Sequence, residues 1–370
     1  MTTSAPHAAP YPALDAGLDV AELTARLIDI ESVSGHETPI ADAVEALLRP
    51  LDHLEVVRDG DAVMARTSTG AAERVVLAGH LDTVPLPATP GATGTVPSTL
   101  REGMLHGRGA TDMKGGVAVQ LALAAAVTTP VRDVTWVFYD HEEVEASLSG
   151  LGRLVERHRD WFDADFGILL EPTNGTVEGG CNGTSRFEVR LQGTAAHSAR
   201  AWMGHNAIHD AAEVLTRLRD HEPATVTVDG LDFRESLNAV RIAGGRAGNV
   251  IPDETVIEIN YRFAPDKSLD DAEAIVRDLL AGFDVVRTDG AAGARPGLDH
   301  PAAASFVAMV GAEPLPKYGW TDVARLSALG IPAINFGPGD ALLAHTDDER
   351  VDPEAIRTCH AVLHRWLTER

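Results

Sequence analysis

The segment Val134–Glu145, VTWVFYDHEEVE, joins an apolar run to a cluster of ionisable side chains. Its first half, VTWVFY, is rich in β-branched and aromatic residues and predicts a buried strand. Its second half carries five ionisable residues, four of which can be anionic. A solvated turn or helix start could carry this charge, because carboxylates suit the first turn of a helix. A cation bound where the strand ends would explain so much like charge better.

The segments on either side alternate between strand and helix patterns. Short β-rich runs precede VTWVFY, an Ala-rich apolar helix pattern follows Gly115-Gly116, and the strand pattern FGILLEP comes after. Amphipathic helix patterns begin at Val20 and at Ile40. Such alternation predicts an α/β fold with a mixed, largely parallel sheet flanked by helices.

The pattern changes near residue 183. SRFEVRLQG, LNAVRIAGG and TVIEINYRFAP alternate apolar and polar residues, and helix patterns lie at 206–219 and 268–281. Alternation indicates a sheet with one wet face, which is typical of antiparallel sheets. This part of the chain therefore predicts a smaller α+β domain with an antiparallel sheet.

These patterns divide the chain into three parts. Residues 1–18, rich in Ala and Pro, are predicted to be a flexible N-terminus. The main domain comprises residues 19–182 and 295–370, and the smaller domain, residues 183–294, is inserted into it. A chain of 370 residues is long enough to bury the cores of two domains.

Composition excludes several classes of function. The formal net charge of −24 argues against binding to nucleic acid or to anionic lipid. Two cysteines provide no disulfide framework and suit a reducing compartment. The N-terminus lacks the basic and apolar regions of a signal peptide, and the apolar stretch Val117–Val127 is too short to span a bilayer. We therefore expect a cytoplasmic protein with no membrane partner.

Five short motifs carry side chains that can bind a divalent metal. They are AGHLDTVP with His80 and Asp82, GRGATDMKGG with Asp112, DHEEVEA with Glu142 and Glu143, LLEPTNG with Glu171, and GPGDALLAH with His345. Several follow predicted strands, and open α/β sheets bind ligands outside the carboxyl ends of their strands. Each residue alone has an ordinary explanation, such as a surface histidine or a polar turn. Together, the two histidines and three of these carboxylates form the ligand set expected for zinc or a similar ion.

The motifs H-x-D, G-x-x-D-M-K-G-G, E-E, E-P-T and a late His resemble those of the di-zinc metallohydrolases. This family includes aminoacylases, carboxypeptidases and succinyl-diaminopimelate desuccinylases, and the resemblance extends from about residue 20 to residue 368. The runs AHSARAWMGHNAIH, RIAGGRAGNVIPD, YRFAPDKS and KYGWTDVARLSALGIPAINFGPGD are most similar to actinobacterial desuccinylases. A nucleotide site at HGRGATDMKGG is excluded, because the spacing fits neither the P-loop nor G-x-G-x-x-G.

The resemblance implies two bound divalent ions, zinc with cobalt as an alternative, in the main domain. The implied ligands are His80 and Glu171 for one ion, Glu143 and His345 for the other, and Asp112 as the bridge. Asp82 is expected to accept a hydrogen bond from the far ring nitrogen of His80 and so fix its tautomer. The family also implies a cis peptide between Asp112 and Met113.

Catalytic and substrate-binding roles follow from the same resemblance. Glu142 is expected to take a proton from the metal-activated water and return it to the leaving amine. His197 would stabilise the oxyanion from the partner subunit of a homodimer, through an inserted domain that serves for dimerisation or as a lid. Asn249, Arg262 and Thr321 match positions that contact substrate.

The resemblance implies hydrolysis of the amide of N-succinyl-LL-2,6-diaminopimelate to succinate and LL-2,6-diaminopimelate, a reaction of lysine and peptidoglycan biosynthesis. A related N-acyl-amino-acid amidohydrolase or metallopeptidase is the alternative. A metal-free binding protein on the same fold would have lost a ligand or the base, and all six positions are intact. Two departures from the family pattern concern the acyl-group contacts: desuccinylases of other bacterial groups carry arginines where this chain has Cys181-Asn182, and the loop GPGDALLAH before His345 lacks an Asn that they carry.

Overall fold

The computed structural model describes residues 11 and 13–369, which form two units. The first unit comprises the chain up to residue 179 with 297–315 and 325 onwards, and the second comprises 180–296 and 316–324. The predicted flexible N-terminus lies mostly outside the described residues. Within the described part of the chain, no helix has the length and apolar character needed to cross a membrane.

Helices and strands alternate along most of the chain. The α-helices of the described residues are α1 (Val20–Ile28), α2 (Thr38–Leu48), α3 (Gly115–Ala126), α4 (Gly150–Arg157), α5 (Ala207–Asp220), α6 (Leu269–Leu279), α7 (Pro301–Val310), α8 (Val323–Ala328) and α9 (Pro353–Thr368). The strands are β1 (Glu55–Asp59), β2 (Ala62–Arg66), β3 (Arg74–His80), β4 (Thr99–Arg101), β5 (Met104–His106), β6 (Asp133–Tyr139), β7 (Phe166–Leu169), β8 (Glu178–Gly179), β9 (Gly183–Gln192), β10 (Thr225–Val228), β11 (Leu231–Arg234), β12 (Ser236–Gly244), β13 (Glu254–Phe263), β14 (Val285–Ala291), β15 (Leu315–Pro316), β16 (Ala333–Asn335) and β17 (Arg350–Val351).

The first unit is built on a mixed sheet with the strand order β1-β2-β6-β3-β7-β16-β8-β15. Its four central strands, β6, β3, β7 and β16, run parallel, and antiparallel strands flank them. β6 is buried along its whole length, which explains why VTWVFY is apolar without alternation. The predicted mixed sheet flanked by helices is therefore confirmed.

Helix α3 forms the centre of the first unit's core. All its residues from Gly115 to Ala124 are buried, and all of them except Gln120 are apolar, as expected for a helix enclosed by the core. It packs against α1 and α9. A Cβ atom at Gly116 would overlap the carbonyl oxygen of Leu170, just beyond β7. The helix start and the end of that strand are thus in direct backbone contact.

The second unit contains a four-stranded antiparallel sheet with the order β12-β13-β9-β14. Buried and partly exposed residues alternate along β9 and β13, as the period of two predicts. Helices α5 and α6 pack on one face of the sheet. The side chains of the other face are polar and partly exposed. This arrangement confirms the predicted α+β architecture of the smaller domain.

Candidate metal centre

The ends of neighbouring parallel strands bring the predicted ligands of the first unit to one edge of its sheet. His80 is the last residue of β3 and pairs in register with Tyr139, the last residue of β6. Glu143 follows Tyr139 by four residues, and Glu171 follows the end of β7 by two. Carboxyl ends of parallel strands meet at the same edge, where α/β sheets bind ligands.

Four of the five predicted ligands are joined by short contacts. The Nε2 atom of His80 lies 3.1 Å from Oδ1 of Asp112. The Nε2 atom of His345 lies 3.4 Å from the other oxygen of Asp112 and 3.0 Å from Oε1 of Glu143. Ligand atoms of His80, Asp112 and Glu143 all lie within 4.8 Å of one another. Asp112 thus offers one oxygen to each histidine, as a carboxylate shared between two ions must.

The fifth predicted ligand, Glu171, is buried at the end of its strand, with 5% of its surface exposed. It precedes Pro172 and follows Leu170, whose carbonyl oxygen contacts the start of α3. Since α3 begins three residues after Asp112, this contact packs the segments that carry Asp112 and Glu171 against each other.

The carboxylates of this cluster raise the pKa values of its two histidines. Hydrogen bonds to Asp112 and Glu143 raise the pKa of His345 to about 10. Burial alone would lower the pKa of His80, but the hydrogen bond to Asp112 and the negative charges of Asp112, Asp82 and Glu142 together outweigh burial and raise that pKa well above its usual value. Burial raises the pKa of Glu143. The same negative charge would attract a divalent ion, and a set of His and carboxylate ligands fits zinc or cobalt.

A buried ion pair fixes the backbone around Asp112. Asp112 lies in the kinked turn Ala110–Lys114, where its φ of −121° and ψ of 95° are not helical, and its peptide bond to Met113 is cis, as the resemblance implies. One carboxylate oxygen of Glu349 accepts the N–H groups of Thr111 and Asp112, both at 3.1 Å. Its other oxygen accepts a hydrogen bond from Arg108 at 2.7 Å.

Asp82 holds the turn that follows β6. Its Oδ1 accepts the N–H of Glu142 and its Oδ2 accepts the N–H of Glu143, both at 3.0 Å. Oδ2 also accepts the hydroxyl of Ser34 at 2.7 Å. The predicted hydrogen bond from His80 to the carboxylate of Asp82 is not formed. Instead, Nδ1 of His80 lies 2.9 Å from the backbone carbonyl oxygen of Asp82 and 3.6 Å from its carboxylate. The carbonyl is therefore the atom that fixes the tautomer.

Sequence reasoning missed several supporting residues. Glu349 is buried and lies four residues after His345, a spacing that is visible in the sequence. Lys114 belongs to the motif GRGATDMKGG, and its Nζ donates to the carbonyl of Ile30 at 2.7 Å. Burial lowers the pKa of Lys114 to about 7. The spacing of Glu349 from His345 could have marked it as a candidate, but the sequence does not show which groups Glu349 and Lys114 contact, because those groups lie in distant parts of the chain.

The remaining predicted site residues belong to the second unit. His197 is exposed and precedes the turn Ser198–Met203, where its Nδ1 accepts the N–H of Ala199 at 3.1 Å. The N–H of Ser198 donates to the carbonyl of Asn249 at 2.9 Å, so the segments of His197 and Asn249 are adjacent.

Arg262 and Thr321 occupy different surroundings in the same unit. Arg262 is the penultimate residue of β13 and is half-buried, and burial lowers the pKa of its guanidinium. Thr321 is buried, and its carbonyl accepts a weak hydrogen bond from the thiol of Cys181 at 3.7 Å.

Comparison of the sequence with known proteins finds relatives along nearly the whole chain. A Mycobacterium tuberculosis protein named "Putative succinyl-diaminopimelate desuccinylase DapE" is 51% identical over 357 residues, which cover 96% of this chain and 99% of that protein. The succinyl-diaminopimelate desuccinylase of Corynebacterium glutamicum is 42% identical over 369 residues, covering 97% and 98% of the two chains.

Solved structures share the fold at low sequence identity. A tripeptidase from Staphylococcus aureus matches with a TM-score of 0.76 at 19% identity, covering 96% of this chain and 98% of that one. A Bacillus subtilis protein described as a dinuclear metal binding peptidase of the M20 family matches with a TM-score of 0.67 at 16% identity, covering 94% and 96%. Residues 76–369 match the model of peptidase family M20/M25/M40. The chain therefore belongs to this family of metal-dependent peptidases and amidohydrolases.

Proposed function

We propose that this chain hydrolyses the amide bond of N-succinyl-LL-2,6-diaminopimelate, releasing succinate and LL-2,6-diaminopimelate. The network of His80, Asp112, Glu143 and His345 beside Glu142 carries the proposal, because it combines ligands for a metal pair with a general base. The names of both desuccinylase relatives support the choice of substrate.

The proposed cofactor is a pair of divalent ions, zinc or cobalt. His80 and Glu171 would hold one ion, Glu143 and His345 the other, and Asp112 would serve both. When bound, such ions polarise the amide carbonyl and make water acidic enough to lose a proton near neutral pH.

Glu142 acts as the general base and then as the general acid. Its carboxylate takes the proton of the attacking water and afterwards delivers a proton to the amide nitrogen that leaves. The hydrogen bonds of Asp82 to the backbone N–H groups of Glu142 and Glu143 support this role, since they fix the turn from which both side chains project. Glu142 therefore has its main chain held in place before substrate arrives.

In the second unit, Asn249, Arg262 and Thr321 bind the substrate, and His197 donates a hydrogen bond to the developing oxyanion. The proposal assigns His197 to the partner subunit of a homodimer. Support comes from β12, an edge strand of the sheet, where Val240 and Ile242 are 61% and 48% exposed. An exposed edge with apolar side chains is suited to pairing with a second copy.

The proposed setting is the cytoplasm. Cys181 and Cys359 are both free and buried, as suits a reducing compartment. Burial raises the pKa of Cys181 to about 11, so this thiol is protected from reaction.

A substrate panel tests the proposal. The purified chain, loaded with zinc or with cobalt, is assayed for succinate release from N-succinyl-LL-2,6-diaminopimelate and for hydrolysis of N-acetyl-amino acids and dipeptides. We expect kcat/KM to favour the succinylated substrate by at least about 10-fold. Hydrolysis of the acetyl-amino acids or dipeptides alone would support the related amidohydrolase or metallopeptidase instead.

A further inference from the structure

Two arginines share the polar face of the second unit's sheet. β13 and β9 pair antiparallel, with Arg262 opposite Thr184 and Asn260 opposite Arg186. Residues that pair in this way lie on the same face, and diagonal neighbours are within reach of long side chains. The side chains of Arg262 and Arg186 are diagonal neighbours on the face that the helices leave open.

Asn260 orients one of these arginines. Its Oδ1 accepts a hydrogen bond from Nε of Arg262 at 3.1 Å. Its Nδ2 donates to the hydroxyl of Thr184 at 3.3 Å. Among the described residues, no side chain forms an ion pair with Arg262, so the terminal Nη1 and Nη2 atoms remain for an incoming ligand.

Arg186 also has no ion pair with any residue that the structure describes. Nearby arginines differ in this respect, because Arg190 pairs with Glu188 and Arg241 pairs with Glu258. Asp289 of β14 stands opposite Arg186 in the strand register, yet no ion pair joins these two described side chains.

The charges of the two arginines influence each other. Burial lowers the pKa of Arg262, and the positive charge of Arg186 lowers it further. Like charges facing one another across a sheet are destabilising. An anion placed between the two guanidinium groups would remove this repulsion and accept hydrogen bonds from both.

We propose that Arg186 joins Arg262 in binding one carboxylate of the substrate and so contributes to substrate specificity. Guanidinium groups suit this task, since each can donate two parallel hydrogen bonds to a carboxylate. The inference rests on the proposed function, whose substrate carries a succinyl carboxylate and the two carboxylates of diaminopimelate. Succinate and LL-2,6-diaminopimelate, the two products, present these groups separately.

The test measures binding of each product to the full-length, metal-loaded protein by calorimetry, with Arg186→Gln and Arg186→Lys beside the wild type. We expect Arg186→Gln to lower the affinity for one product by about 10-fold to 100-fold, because the free energy of a hydrogen bond between charged groups corresponds to a change in affinity of this size. The affinity for the other product should change much less. Arg186→Lys, which keeps the charge, should recover part of the lost affinity. In the assay, KM should rise by a larger factor than kcat falls.

Asp289→Asn provides the matched control, because it alters the register partner of Arg186 and leaves both arginines in place. It should bind both products as the wild type does. Wild-type affinity for both products in Arg186→Gln would overturn the inference. So would an equal loss in Asp289→Asn, which would make Arg186 a structural partner of that carboxylate.

The two proposals fail in different ways. A wild-type chain that hydrolyses no succinylated substrate contradicts the proposed function, and the titrations still decide the role of Arg186. If Arg186→Gln then lost affinity for only one of the two products, the result would support a carboxylate-binding site at Arg186 without supporting the proposed reaction. A wild-type chain that hydrolyses the succinylated substrate, with Arg186→Gln unchanged in its affinity for both products, would overturn the inference about Arg186 and leave the proposed function standing.

Discussion

Asp82 accepts a hydrogen bond from the backbone N–H of Glu142 at 3.0 Å, which ties the proposed base to the strand end that carries His80. The same carboxylate accepts the N–H of Glu143 at 3.0 Å. Hydrogen bonds to an ionised acceptor are stronger than those between neutral groups. One buried side chain thus sets the backbone of both glutamates.

Replacing Asp82 should therefore impair catalysis through the turn. In Asp82→Asn the NH₂ group of the amide lies where one of the two backbone N–H groups needs an acceptor. We expect kcat/KM to fall by about 10-fold to 100-fold. Steady-state kinetics with the succinylated substrate measure the change. Ser34→Ala is the control, because it removes one hydrogen bond to Asp82 and neither bond to the turn. An equal loss in both variants would contradict this account.

Glu142→Gln should abolish most turnover while the metal remains bound. General acid–base catalysis typically contributes about 10²-fold to 10⁴-fold, so kcat should fall by at least about 10²-fold. Metal content, determined by atomic emission, should match the wild type. Glu145→Gln serves as the control, since Glu145 is exposed on the same segment. A fully active Glu142→Gln enzyme would remove the proposed base.

Glu349→Gln should weaken metal binding. Glu349 holds the N–H groups of Thr111 and Asp112, and loss of such a support typically lowers metal affinity by about 10-fold to 100-fold. Competition with a chelator measures the affinity. Asp348→Asn, a change at the exposed neighbour, should leave it unchanged. Wild-type affinity in Glu349→Gln would show that the Asp112 turn holds its position without this carboxylate.

Mixed dimers should reveal whether His197 acts on the partner subunit's site. Each inactive variant, His197→Ala or Glu142→Gln, lacks one group, so a heterodimer regains one intact site if the histidine acts in trans. Random mixing of equal amounts should restore about one quarter of wild-type activity, because half the dimers are mixed and each has one working site. Tagged copies purified in tandem confirm the heterodimer, and its inactivity would count against sharing.

Asp133 should make the first unit sensitive to acid. Its carboxylate accepts hydrogen bonds from the hydroxyl of Thr67 and the N–H groups of Thr69, Gly70 and Ala71. Burial would raise its pKa, but these bonds outweigh burial and lower the pKa below its usual value. The ionised form is therefore bound more strongly in the folded state. Asp133→Asn should cost about 1–3 kcal/mol of unfolding free energy at neutral pH.

The sign of the pH dependence follows from that depressed pKa. Stability from Asp133 is present above the pKa of the unfolded chain, near 4, and is lost as the pH falls through the lower folded value. The wild type and Asp133→Asn should therefore converge in urea titrations as the pH is lowered below about 4. Asp163→Asn, at an exposed position, should change stability little at any pH. A constant gap between the first two proteins would contradict the linkage.

The fold was predictable because period and composition are local properties. VTWVFY is apolar without alternation since β6 is buried along its whole length, whereas TVIEINYRF alternates since one face of β13 is open. The ends of helices were less predictable. The pattern beginning at Ile40 extends to Leu51, while α2 begins at Thr38 and ends at Leu48.

The residues of the candidate site that stand in short motifs were predictable from the sequence. The hydrogen bonds that support them were less predictable, because they depend on contacts between distant parts of the chain. His80, Asp112, Glu143 and His345 converge, as the motifs indicate. That the carbonyl of Asp82 is closer to His80 than its carboxylate depends on how one turn is oriented. Glu349 was missed because its partners lie more than 230 residues away in sequence.

The contact between Gly116 and Leu170 limits how this centre could be transplanted. Because no side chain fits between them, the segment of Asp112 and the segment of Glu171 are locked at a fixed spacing. Transfer of the five ligands to another protein fold would therefore also require transfer of the buried helix α3. Conversely, a larger residue at Gly116 should displace both segments together, so that one substitution far from solvent disables the whole centre.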